Sequence, residues 1–342
     1  MTRMIKLIER DNVAGSMYGL ALGDALGRPT EFLSLKSIYR IYGKAGYMRM
    51  DYPIKFTDDT QMTLALARAL DNMRYTHPKE FVRTVSNEFI RWSIEDEPRA
   101  PGISCMTSIR NIKIARQNKR SWTTAPVMSL GCGANMRVLP TAFVANHANA
   151  MGMSQLQAAL THATPLAIAA TELTAMAMRL AASREIEMQM LPVALLEYTY
   201  RQNNVYRKEW LGNLDQRWSK SGRDEMTRAW DMMSNVVLNV ITALEHDRIN
   251  NVCGVLGESW VAHEAFATSL YHAVRYYHDP VLAISMAART SGDSDSIACL
   301  AGAIVGGYVG MNAWPVKWVE QIERRDDIEN AIAGIVRRLR NN

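Results

Sequence analysis

The sequence predicts an all-α fold, a single orthogonal helical domain, and three observations carry the helical, one-domain part of that expectation. Apolar residues recur at three- and four-residue spacing in window after window. No segment sustains the alternation of a strand, and Ala, Leu and Met outnumber Val and Ile in the periodic windows, a bias toward helix. No repeat, low-complexity tract or proline-rich linker divides the 342 residues, a length that guarantees a sizeable core.

Along the chain, residues 1–12 read as a short N-terminal arm or helix ahead of a glycine-rich segment, with the domain proper spanning 13–342. Helices are expected over Met62–Met73, Phe81–Trp92, Leu166–Leu180, Trp230–Leu244, Ala262–Tyr276 and Ile328–Leu339. The polar stretch Tyr200–Arg223 reads as a long loop or insertion. Ile297–Met311, the longest apolar run, is shorter than the roughly 20 residues of a membrane span and rich in Gly and Ala, so it reads as a buried helix. The 21 methionines fall mostly on helical faces, where adaptable core packing is their expected use.

Composition narrows the classes. Hydrophobic residues make up 48% and charged residues 21%, which excludes a disordered or fibrous chain. Lys and Arg total 39 against 34 Asp and Glu, a net charge of +5. These basic residues are dispersed, with no dense tract before the last few residues, so a nucleic-acid partner is not expected and an anionic ligand or partner fits better. Cys105, Cys132, Cys253 and Cys299 have no C-x-x-C spacing, which disfavours a disulfide scaffold or a cysteine zinc site. The opening MTRMIKLIERDNV is charged throughout and lacks a signal-peptide core, so a cytoplasmic location without a membrane partner is expected.

Two motifs concentrate carboxylates. In FTDDTQMTLALARAL, Asp58 and Asp59 precede a strongly periodic helix, and in SGDSDSIACLAGAIVGGYVG, Asp293 and Asp295 do the same. Each alone is explained by helix capping; Asp58 with Gln61 matches a capping box. The pair is more informative, because each also supplies hydroxyls: Thr57 and Thr60 in one, Ser294 and Ser296 in the other. If the fold joins these helix starts, four carboxylates meet and need a cation, and an all-oxygen donor set selects Mg²⁺, Mn²⁺ or Ca²⁺. Competing motifs fail: His263-Glu264 opens an apparent H-E-x-x-H, but Ala267 stands at its fifth position.

The combination resembles the ADP-ribosylglycohydrolase family. The resemblance is carried by GSMYGLALGDALGRPTEF (15–32), FTDDTQMTLALA (56–67), RAPGISCMTSIR (99–110), SLGCGANMRVLP (129–140), THATP (161–165), ESWVAHEAFATSLY (258–271) and SGDSDS (291–296). It implies an all-α domain with a dinuclear centre of two Mg²⁺, Mn²⁺ being the alternative. Thr57, Asp58 and Asp59 would bind metal from one side and Asp293, Asp295 and Ser296 from the other, Ser296 standing where many members carry threonine. Asp59 or Glu31 would be the catalytic base. Asp24 has a local structural reading, a short acid bonding nearby amides.

For the substrate, the resemblance points to Gly102, Ser104, Gly131, Cys132, Gly133 and His162. The glycines would let backbone amides reach the diphosphate. The local reading of His162 is structural, and that of Cys105 and Cys132 is packing against the ligand loop, since no base is evident beside either thiol. The Arg99-Ala100-Pro101-Gly102 form and Cys132 resemble one bacterial subgroup, so removal of ADP-ribose is better supported than the atom it leaves. The implied activity is hydrolysis of ADP-ribose from arginine on modified proteins; serine, acyl or nucleic-acid linkages are the alternatives. Bacterial members also act as immunity proteins, so an ADP-ribosyltransferase toxin, its damage reversed or the toxin itself occluded, is a further partner implied.

Overall fold

The computed structural model describes residues 8–95, 97–218, 222–246 and 249–340. Residues 1–7 of the expected arm lie outside the described residues. The rest of it is not separate: helix α1 (Arg10–Gly27) runs through the boundary expected at residue 12, where buried Asn12 donates to Gly307 O at 2.9 Å. There follow α2 (Leu35–Tyr42), α3 (Asp58–Asp71), α4 (Pro78–Glu95), α5 (Ile103–Gln117), α6 (Leu139–Ala142), α7 (His147–Ala159) and α8 (Pro165–Ser183). The second half adds α9 (Leu191–Gln202), α10 (Lys208–Leu211), α11 (Gly222–Glu245), α12 (Cys253–Leu256) and α13 (Ala262–Arg275). It ends with α14 (Pro280–Ala287), α15 (Ser294–Val309), α16 (Val316–Gln321) and α17 (Arg325–Arg340).

Among the described residues no strand forms; only isolated bridges join Ile54 to Ile322, Val127 to His162 and Gly131 to Val261. The all-α expectation therefore holds, and every periodic window falls on a helix. Tyr200–Arg223 is the exception to the reading by composition. Within it α10 and a 3₁₀ turn (Leu214–Arg217) are pinned by buried Trp210, Leu211 and Leu214, apolar anchors that its polar average conceals. Trp210 packs edge-on against Phe81, with ring centroids 6.1 Å apart. Helix α8 is long and apolar enough to cross a bilayer, yet 83% of that window is buried against the other helices.

The contact that positions the site is α1 against α15. Gly15, Gly19, Gly23 and Gly27 recur every four residues and so share one helix face. A Cβ added at these positions would lie between 2.1 and 2.5 Å from backbone atoms of Gly306, Gly302, Ala298 and Ser294, in that order. Partner numbers fall as the α1 numbers rise, so the helices are antiparallel and in backbone contact. Pairing of this kind sets the end of α1, with Asp24 and Glu31 close behind, beside the start of α15, with Asp293 and Asp295.

Candidate functional site

Three helix ends deliver oxygen donors to one place. The turn after α1 carries Glu31; Thr57 caps α3, whose first turn holds Asp58 and Asp59; Asp293 caps α15, whose first turn holds Asp295 and Ser296. Asp24 locks the first two ends together: its fully buried carboxylate accepts from Thr57 N at 2.8 Å, Thr60 N at 3.0 Å and Thr60 Oγ1 at 2.5 Å. The structural reading of Asp24 is right, but the amides it bonds come from α3 rather than from its own segment. Ser296 Oγ donates to Asp59 Oδ2 at 2.9 Å, a direct bond between the two acidic motifs. Carboxylate oxygens of Glu31, Asp293 and Asp295 lie within 4.8 Å of one another.

The expected capping box does not form. Thr57, one residue earlier, is the cap, its Oγ1 accepting from Asp59 N at 3.4 Å. Gln61 is buried and turns away to accept from Trp92 Nε1 at 3.2 Å and Arg99 N at 3.3 Å. Asp58 and Asp59 are thereby left available to the cavity.

Electrostatics mark the cluster as one built for a counter-charge. Burial first, and then the carboxylate of Asp295, push Asp24 up to about 7 and Glu31 up to about 8, and hold Asp58 and Asp59 well above the usual carboxylate range. Asp293 is raised for the same reasons. Among the described residues none of these acids forms an ion pair. Packing this many ionisable groups together without a cation is costly, and the donors are all oxygen, so the residues present fit a hard divalent cation.

The cluster forms the floor of a cavity of about 410 Å³. Glu31, Asp58, Asp59, Gly102, Ser104, Gly131, Cys132, Gly133, His162, Asp293, Asp295 and Ser296 all line it, and Thr57 lies behind as the buried cap. Another wall is the N-terminus of α5, with Gly102 as its cap and the first-turn amides unused by the helix, a natural seat for an anion. Ser104 Oγ donates to Ser129 Oγ at 2.9 Å.

Two expectations about this wall need correction. Gly131 N already donates to Ser129 Oγ at 3.1 Å and Cys132 N to Trp260 O at 3.3 Å, so those amides are not free for a diphosphate. The His162 ring also crowds both glycines: a Cβ would meet His162 Nε2 at 3.2 Å from Gly131 and Cε1 at 3.0 Å from Gly133, tighter than ordinary contact. Cys132, expected to pack on the ligand loop, donates its thiol to Asp293 Oδ2 at 2.8 Å. Burial and Asp293 hold it well above the usual thiol range, which favours the protonated donor over the thiolate that a nucleophile requires.

Sequence reasoning passed over three residues. Arg137 is fully buried and donates to Gly133 O, to Gln157 Oε1 at 2.9 Å and to Thr161 Oγ1 at 2.5 Å, tying both glycine- and histidine-bearing loops to α7. A charge inside the apolar run Met136–Leu139 was its signal. Burial, and then Arg137, push the neighbouring His162 down to about 3, so that ring is neutral. Phe32 and Trp260 stack at the rim, centroids 5.4 Å apart and planes 15° apart, both exposed. Phe32 adopts φ +61°, which no local motif announces.

Comparison with known proteins agrees with this geometry. A solved chain from an ADP-ribosylglycohydrolase-related protein complex superposes with a TM-score of 0.69 at 22% identity, covering 96% of this chain and 98% of that one. The ADP-ribosyl-[dinitrogen reductase] glycohydrolase of Rhodospirillum rubrum is 35% identical over 170 residues, 47% of this chain and 54% of that protein. The ADP-ribosylarginine hydrolase Tri1 of Pseudomonas putida is 25% identical over 325 residues, 91% of this chain and 74% of that protein. The ADP-ribosylglycohydrolase family model matches residues 6–342, the whole acidic cavity included, and the chain therefore belongs to that family of hydrolases acting on ADP-ribosylated substrates.

Proposed function

We propose that this chain removes ADP-ribose from arginine side chains of modified proteins, by hydrolysing the N-glycosidic bond to the distal ribose. The observation that carries the reading is the joining of the two acidic motifs by the Ser296–Asp59 bond on the floor of a cavity walled by a helix N-terminus. The helix end suits the diphosphate, and the floor suits the ribose and the bond to be cut. The names of the Rhodospirillum and Pseudomonas relatives support this substrate class, the latter by naming arginine.

In this reading Thr57, Asp58, Asp59, Asp293, Asp295 and Ser296 would hold two Mg²⁺, with Mn²⁺ the alternative. A divalent cation held there would supply positive charge and would lower the pKa of a water it binds. Asp59 or Glu31 takes the proton of the attacking water, and the same carboxyl returns one to the departing guanidine, which leaves poorly as an anion. Cys132 fixes Asp293 through its thiol, and Arg137 fixes the loops. The reaction takes place in the cytoplasm, and an ADP-ribosyltransferase toxin is the source of the modified protein, which makes the enzyme an immunity factor. Asp293→Ala separates reversal from occlusion: protection against such a toxin is lost if the damage is reversed and kept if the toxin is merely covered.

The deciding assay is release of free ADP-ribose from arginine-linked and serine-linked ADP-ribosylated proteins, with and without Mg²⁺, beside Asp58→Ala. Metal-dependent release from the arginine substrate alone, abolished in the variant, is expected. Release from the serine substrate alone assigns a different leaving group, and release from neither with metal bound ends the hydrolase reading for these linkages.

A further inference from the structure

The segments that bring acids to the cavity also bring cations to its neighbourhood. Arg28 stands one turn before Glu31, whose amide bonds Gly27 O at 3.2 Å. Lys55 stands three residues before Asp58, within about 10 Å even for extended chain. With Arg49 they line a separate concavity of about 500 Å³. All three are exposed and, among the described residues, make no ion pair or side-chain hydrogen bond. The arginines at 10, 68, 83, 91 and 99, by contrast, all reach carboxylates. Asp51 is the one acid in the lining, and Lys317 adds a further cation at the edge, its Nζ 5.0 Å from the Tyr52 ring centroid. Among the described residues no Lys or Arg lines the catalytic cavity itself.

We propose that this basic concavity is where the ADP-ribosylated protein docks, and that it takes an acidic stretch of that protein's chain. The proposal rests on the hydrolase reading above. A modified side chain reaching the carboxylate floor leaves its own backbone outside, and Lys55 stands within the reach of three extended residues of Asp58 on that floor. An Asp or Glu three to five residues from the modified position is thereby placed to meet these cations. Two guanidinium groups favour carboxylates, which they bind in bidentate fashion. Exposed charges steer encounter and lower KM while leaving the chemical step untouched.

The experiment uses two synthetic peptides carrying the same ADP-ribosylated arginine, one flanked by Glu three to five residues away and the other by Lys. Free ADP-ribosylarginine is the small substrate, and the Arg49→Glu/Lys55→Glu double variant is compared with the wild type. Both substitutions are at exposed positions, and circular dichroism checks that the fold is kept. At low salt the wild type should favour the acidic peptide about tenfold in kcat/KM, through KM, at a factor of about two for each exposed charge pair. That preference should shrink at 0.5 M salt and vanish or reverse in the variant, with turnover of free ADP-ribosylarginine unchanged within about twofold. Equal use of both peptides by the wild type, or a preference that survives in the variant, overturns the proposal. So does a variant-sensitive preference for an ADP-ribosylated DNA oligonucleotide over the acidic peptide. If the wild type does not turn over even free ADP-ribosylarginine, the arginine assignment of the proposed function is what fails. Fluorescence anisotropy with labelled peptides then decides the docking site by the same contrast.

Discussion

Gly23→Ala tests the helix pairing on which the whole site depends. The added Cβ would lie 2.1 Å from Ala298 O and 2.9 Å from Cys299 N, both backbone atoms of α15, where ordinary contact begins at 3.4 Å. The helices must therefore part locally by about 1 Å. In an unhindered helix interior this change gains about 1 kcal/mol of propensity. Overpacking costs about 1–3 kcal/mol, and the upper end applies because a backbone cannot step aside as a side chain can. The net is a loss of about 2 kcal/mol, a fall in Tm of about 3 °C for a domain of 342 residues. Gly307→Ala, in α15 itself, is the control. Its Cβ would meet nothing closer than Ala182 Cβ at 3.4 Å, so propensity should win and stability rise by up to about 1 kcal/mol. Thermal and urea melts of both variants give the answer. Shifts of the same sign, or a Gly23→Ala protein as stable as wild type, refute the backbone-contact account of how α1 and α15 assemble the site.

Metal-free protein should lose stability as pH rises from about 4 to 8. The folded state keeps Asp24 protonated up to about 7 and Glu31 up to about 8, whereas unfolding returns both to the ordinary range near 4, so the folded state binds more protons across that window. Melts across pH, with chelator and with Mg²⁺, should show the decline only with chelator; a flat metal-free profile contradicts the crowded-carboxylate picture. Cys132 should resist iodoacetamide at pH 7 to 8, and Cys132→Ala should keep hydrolysis within about tenfold. Loss of several orders of magnitude would mark the thiol as a nucleophile instead.

What was legible in the sequence was what depends on local spacing. Periodicity placed the long helices, and acid–hydroxyl clusters at two helix starts marked the donors that the fold unites. In Tyr200–Arg223 three buried anchors, Trp210, Leu211 and Leu214, decide the path, and average polarity does not show them. The cap moved from Asp58 to Thr57 because Gln61 has a tertiary partner in Trp92, which no window of a few residues contains. The crowding of the SLGCG glycines by His162, about thirty residues further on, and the bond from Gly131 N to Ser129 Oγ are likewise invisible to local spacing.

These long-range partners share one physical role, and it bears on how the site can exist. Several ionisable acids cannot be held together by their own interactions, since burial and mutual repulsion both oppose their charged forms. Something outside the cluster has to fix them before a cation arrives. The residues that do so are unremarkable in sequence: a four-residue glycine stripe that lets two backbones touch, Asp24 bonding α3 to α1, Arg137 bonding two loops to α7. Each acts over a long chain separation, so none has a local pattern that reveals its partner. Preorganisation of this kind leaves little to rearrange when the cation and the diphosphate bind, and it explains why the donors could be read from spacing while their scaffold could not.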